Sequence, residues 1–145
     1  MKIAALGILA LASALAHAAA PGVPAPPTFA PTSAFALPPS TQHYNAFAFS
    51  ASADSTVAVP GTTNLYRVAG ACPATVTLSA FGKLQTGNPP SASVDTPVLD
   101  STVKAGDVWS YVVTAVIGGK ESGPSNCVTD TTPTFQPTSL TTTSN

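Results

Sequence analysis

The residues of this chain that could do chemistry are few. Asp95, Asp100 and Asp107 crowd into one short stretch, and glycoside hydrolysis asks little more of side chains than a pair of carboxylates. Asp100 and Asp107 bracket a segment with turn character, however, and Asp in such places bonds its own backbone. The turn reading is therefore the stronger one, with a loose Ca²⁺ site behind it. His43 is the one histidine left once an N-terminal leader is removed, and no Gly-x-Ser-x-Gly accompanies it. Gly118-Gly119-Lys120-Glu121-Ser122 lacks the first glycine of a phosphate loop and precedes a strand, not a helix. Two cysteines and one histidine do not close a zinc site. Lys83, Lys104 and Lys120 are scattered as solubilising charges are, and a Lys–Asn isopeptide link would need one of them buried beside a carboxylate. The expectation is no catalytic, metal-binding or cofactor-binding residue, and no cofactor.

The elements that must position these side chains read as strands. Val108 to Ile117 alternates: Trp109, Tyr111, Val113, Ala115 and Ile117 share one side, with no charge in the run. Gly118-Gly119 ends it. This predicts a central β-strand carrying the only Trp of the chain. Trp109, Tyr111 and Tyr66 are thereby expected in the core, not as a sugar-stacking platform. Further strands are expected at Tyr44–Ser52, with Phe47, Phe49 and Ala51 inward, at Thr63–Val68, Ala80–Thr86, Ser93–Ser101 and Ser125–Thr131. Gly87-Asn88-Pro89-Pro90 reads as a turn. Fifteen prolines argue against helices. Short strands at regular spacing predict an all-β antiparallel sandwich.

Residues 1–18 have the features of a secretory signal peptide: Lys2, an apolar Ile3–Leu15, and the small-residue site Ala16-His17-Ala18. Residues 19–42 form a Pro-rich, charge-free extended arm or linker. Phe29, Phe35 and Leu37 in it are costly to leave in water, so part of the arm is expected to pack as an edge strand, on this domain or on a neighbour. Residues 43–132 form the sandwich. Residues 133–145 are a Thr/Ser-rich tail.

Only 8% of residues are charged. After cleavage Arg67, Lys83, Lys104 and Lys120 stand against six acidic residues. No basic patch exists, which argues against nucleic acid and anionic membrane surfaces as partners. No later segment is expected to span a membrane. In an exported chain Cys72 and Cys127 are expected to pair, with free or intermolecularly bonded thiols as the alternatives.

Leu65-Tyr66-Arg67, Phe81-Gly82-Lys83-Leu84, Asp100 through Asp107, Tyr111 through Val116 and Glu121-Ser122-Gly123-Pro124-Ser125-Asn126 follow one another in the order and spacing of a known module. Over residues 63–132 the chain resembles a fibronectin type III domain of bacterial extracellular proteins. The resemblance implies an immunoglobulin-like β-sandwich with strands C, C′, E, F and G in that stretch. It implies Phe49 in the place of a strand-B Trp, and Trp109 where the family carries a corner Tyr. Phe49 and Trp109 should then touch. Under this topology strands C and G run parallel on either side of F, and Cys72 and Cys127 fall near opposite ends of a sheet about 17 Å long. A disulfide needs Cα atoms within roughly 7 Å, so Ala69 to Ser79 must fold back along the sheet.

The functional expectation is a secreted, non-enzymatic structural or adhesive module at the cell surface or in the extracellular space, with a protein or glycan partner or with self-association. The runner-up is a filament subunit whose arm, carrying Phe29, Phe35 and Leu37, adds a strand to its neighbour. A small carbohydrate-active protein comes third.

Overall fold

The computed structural model describes residues 23–30 and 43–132. Nine strands follow in order: β1 (Thr28–Phe29), β2 (Asn45–Phe47), β3 (Phe49–Ser50), β4 (Thr62–Ala69), β5 (Gly82–Asn88), β6 (Val98–Asp100), β7 (Val108–Ile117), β8 (Lys120–Glu121) and β9 (Val128–Thr131). A single 3₁₀ turn, Leu78–Ala80, precedes β5. All pairings are antiparallel, and the fold is an all-β sandwich.

The larger layer is ordered β5–β4–β7, with β8 and β9 both on the far edge of β7. β7 is its centre and spans Val108–Ile117, as the alternation predicts. It pairs with β4 along its length, from Thr62 opposite Val116 to Ala69 opposite Trp109. The smaller layer sets β1 against β3 and β2 against β6.

The core lies between the layers. Phe29, Phe47, Phe49 and Val98 from the small layer meet Leu65, Tyr111 and Val113 from the large one, each such side chain contributing about 1.5–3 kcal/mol by leaving water. Ala115 is buried as well. The ring of Phe47 sits 4.3 Å from that of Tyr111, centroid to centroid.

Several expectations need correction. The strand expected over Tyr44–Ser52 is broken at Ala48, and Ala51 is exposed. Gly87 and Asn88 belong to β5 and not to a turn, since Asn88 pairs with Thr63. Trp109 packs against this core from the end of the layer, where it is only half-buried and the Arg67 guanidinium covers its ring at 4.1 Å. Phe49 packs its ring edge-on against Phe29. Tyr66 is buried, but on the opposite face from Tyr111, in a second cluster with Phe81 and Val112. Register explains this, because Tyr66 pairs with Val112 and so shares its face.

The last strand starts at Val128, not Ser125. Pro124 cannot donate to a ladder, and the chain bridges the gap with serines. Ser122 Oγ accepts the Ala115 amide at 2.9 Å, and Ser125 Oγ accepts the Val113 amide at 3.0 Å. The arm contributes to this same domain: Thr28 and Phe29 pair with Ser50 and Phe49. Phe29 is buried in the core. Phe35, Leu37, the expected leader and the C-terminal tail lie outside the described residues.

Candidate functional site

The outward face of the large layer gathers its polar side chains around Glu121. β4 presents Asn64 and Tyr66, two apart on one face. β7 presents Thr114 opposite Asn64, and β5 presents Lys83 opposite Tyr66. The tight turn at Gly118 and Gly119, both at positive φ, brings Glu121 back beside Val116. One oxygen of Glu121 then accepts three bonds: from Asn64 Nδ2 at 2.7 Å, Tyr66 Oη at 2.6 Å and Thr114 Oγ1 at 2.6 Å. The other oxygen faces Lys83 Nζ at 3.5 Å. Burial alone would raise the Glu121 pKa; the bonds from Thr114, Tyr66 and Asn64, with the Lys83 charge, prevail and pull it down to about 2. Burial, then the bond to Glu121, pushes the Tyr66 hydroxyl up. A general acid or base works near its own pKa, and both groups are moved away from neutrality. The cluster fastens β8 to β4.

The carboxylates weighed for hydrolysis do not form a pair in a cleft. Asp100 is fully buried and bonded to Arg67 Nη1 at 2.6 Å. The same Asp100 oxygen accepts the Tyr111 hydroxyl at 3.0 Å, and the other accepts the Thr102 amide at 3.0 Å and the Thr102 hydroxyl at 2.7 Å. Asn45 Nδ2 donates to Tyr111 Oη, and Thr132 Oγ1 donates to Asn45 Oδ1. Burial pushes Asp100 up, and these four bonds outweigh it and leave the carboxyl below its usual range. Asp107 accepts the Lys104 amide at 2.8 Å and the Trp109 indole N–H at 3.4 Å. The turn reading of Asp100 and Asp107 is thus seen directly. Asp95 is exposed.

Cys72 and Cys127 are bonded, with Cα atoms 6.0 Å apart. The fold-back that this demands takes place. Gly70, at a φ of 83°, turns the chain away from β4, and the Gly70 carbonyl accepts the Ser110 hydroxyl at 2.7 Å. The chain therefore crosses the outer face over β7. Thr129 Oγ1 on β9 accepts the Cys72 amide at 3.1 Å. Beyond the crossing, Val76, Leu78, Phe81 and Cys127 cover Tyr66 and Val112.

Reasoning from sequence missed Asn45, Thr132, Ser122 and Ser125, all buried polar groups. Serine on both sides of Gly123-Pro124 is the one signal that could have pointed to the bridged strand. Among the described residues no three His, Cys, Asp or Glu side chains gather as metal ligands. No helix among them is long and apolar enough to cross a membrane. One small cavity opens at the seam between β2 and β9, lined by Phe29, Phe47, Val128 and Asp130 among others. Compared with protein-family models, curated proteins and solved structures, the chain matches none of them.

Proposed function

We propose that this chain is an exported, non-enzymatic β-sandwich module of the fibronectin type III kind, working as a structural or adhesive unit outside the cell. One observation carries the reading: the carboxylates at the centre of the two polar clusters, Glu121 and Asp100, are spent on holding strands together. Glu121 has three donors on one oxygen, and Asp100 is buried beneath an arginine. Two features support it. The larger layer's strand order β5–β4–β7–β8/β9 agrees with the C′–C–F–G order that the resemblance implies. The disulfide suits an oxidising compartment.

The test is to express the full-length chain in a bacterial host and fractionate it. Export with loss of residues 1–18 and an oxidised Cys72–Cys127 bond is expected. A reduced protein retained in the cytoplasm would overturn the exported reading. Turnover of any glycan substrate that survives Glu121→Gln and dies with Asp100→Asn would overturn the non-enzymatic one.

The filament reading has one observation behind it. β1 is two residues long, so among the described residues the β2 edge away from β6 carries no strand. Phe29 itself is spent within its own core, so the donor residues of this reading are Phe35 and Leu37. Electron microscopy of Phe35→Ser/Leu37→Ser beside wild type decides it: filaments in wild type alone support strand addition, and equal assembly or none in both removes it.

A further inference from the structure

The seam between the two layers holds a carboxylate that neither ion pair among the described residues uses. β9 pairs Val128 with Tyr111 and Asp130 with Trp109. Val128 packs against the core, and residues two apart on a strand share a face, so Asp130 also faces inward. There it lines a cavity of about 50 Å³ with Phe29 and Phe47. A water needs roughly 10–15 Å³ of such space, so about three to five heavy atoms fit. Among the described residues the ion pairs are Arg67–Asp100 and Lys83–Glu121; no cation compensates Asp130. Burial raises its pKa, against a smaller lowering by the Thr131 backbone.

The backbone supplies a second acceptor. Phe49 exchanges both its peptide bonds with Ala92 on one side, and the Ala48 carbonyl accepts the Ala30 amide on the other. Alternation along an antiparallel strand then turns the Ala46 peptide groups toward the same edge as Ala48, which beside β2 carries no strand among the described residues. Ala46 lines the cavity.

The geometry points to this cavity as a binding site for a primary ammonium group on a short apolar stem, with Asp130 as its counter-ion. An anion is repelled. A neutral apolar guest leaves a half-desolvated carboxylate without a partner, which costs free energy. A divalent cation wants six or more oxygens, and one carboxylate and an edge carbonyl do not supply them. A guanidinium has five N–H donors, most of which would face hydrocarbon. An ammonium has three donors, matching Asp130, the Ala46 carbonyl and water at the mouth. Its stem rests on the Phe29 and Phe47 rings, whose faces also attract a cation. The site stands whether or not the chain is exported or assembles.

Such a group comes either from a free alkylamine or from a lysine of a second copy. Lys120 is exposed at the β7–β8 turn, opposite Ile117, whereas Asp130 lies opposite Trp109 near the other end of β7. Lys120 can therefore meet Asp130 only between two molecules, head to tail.

The experiment titrates n-butylammonium chloride and, separately, n-butanol into the oxidised protein, reading amide shifts by NMR. Saturable shifts confined to Ala46, Phe47, Val128 and Asp130 are expected with the amine, at an affinity at least roughly tenfold above the alcohol. Asp130→Asn, which keeps the side-chain shape, is expected to bring the amine down to the alcohol's level. Equal response to amine and alcohol in wild type overturns the site without recourse to any variant; so do shifts centred elsewhere, or an undiminished response in a folded Asp130→Asn. Sedimentation identifies the source. Concentration-dependent association lost in both Lys120→Gln and Asp130→Asn, and reversed by n-butylammonium, makes the ligand a lysine of a second copy. A wild type that stays monomeric while binding the amine makes it a free alkylamine.

Discussion

The hydroxyl of Tyr111 stands 3.0 Å from a carboxylate oxygen of Asp100, and neither residue is exposed to solvent. The bond ties the middle strand of the large layer to β6 of the small one through the interior. Arg67 completes the arrangement from β4, reaching Asp100 with one end while its plane covers Trp109. Of the two ion pairs among the described residues, this one thus has a fully buried carboxylate. Removing one partner of such a pair leaves the other charge uncompensated. Asp100→Ala is expected to cost about 3–5 kcal/mol. Tyr111→Phe, which removes one donor and leaves Asn45 short of an acceptor, should cost about 1–3 kcal/mol. Urea unfolding followed by the fluorescence of Trp109 measures both; equal small losses would show the network to be dispensable.

Glu121 makes stability depend on acid. Its folded pKa is depressed from 4.5 to about 2. The unfolded state therefore binds more protons between these values, and stability falls as pH falls. The contribution is fully present above the unfolded pKa and is lost progressively from about pH 4.5 down to about pH 2. Asp100 acts with the same sign below its ordinary 3.8. The melting temperature of wild type should exceed that of Glu121→Gln at pH 7, and the gap should close across this window. A gap that persists unchanged at pH 2 would refute the assignment.

Much of this was legible in the alternation of β7 and in the turn residues around it. Val108 to Ile117 buries its middle because the run is long, β-branched and uncharged. The same pattern put Trp109 on the core face, where it packs against the cluster. Period 2 says which face a side chain takes, not how far along the layer the opposing one extends, and near the end of the layer, at Ala69–Trp109, the indole is only half-buried and a guanidinium covers it. The serine-bridged stretch at Ser122–Ser125 was hidden for another reason: a strand interrupted by a proline can borrow a hydroxyl, and composition alone does not show which serine will serve. The Glu121 cluster draws on four strands, so no local window contains it.

The Cys72–Cys127 bond should matter more than its half-buried position suggests. It closes a separation of 55 residues, for which chain entropy gives roughly 4 kcal/mol as an upper value. It also holds down the crossing that lays Phe81 over Tyr66 and Val112. Cys72→Ser/Cys127→Ser is therefore expected to lose most of that amount in urea unfolding. Hydrogen exchange should speed first in residues 70–81, while the amides of β4 and β7 stay protected. Uniform acceleration across both layers would mean that the crossing is not a separate unit.

Two glycines at positive φ separate backbone strain from crowding. Gly61 has a φ of 69°, and a Cβ placed on it would stand 2.6 Å from the Val116 carbonyl oxygen and 2.8 Å from Ile117 Cγ1. Gly106 has a φ of 80° with open space around the corresponding position. Alanine at 106 carries only the left-handed backbone penalty, about 1 kcal/mol. Alanine at 61 carries that penalty and must also displace the end of β7, where Thr62 opposite Val116 begins the longest ladder in the fold. Displacing a packed backbone adds about 1–3 kcal/mol. Gly61→Ala should therefore be the more damaging by at least about 1 kcal/mol, and its amide shifts should change along Val116 and Ile117 as well as at the substitution. If the two variants unfold at the same urea concentration, the approach of the β3–β4 loop to β7 is looser than 2.6 Å implies.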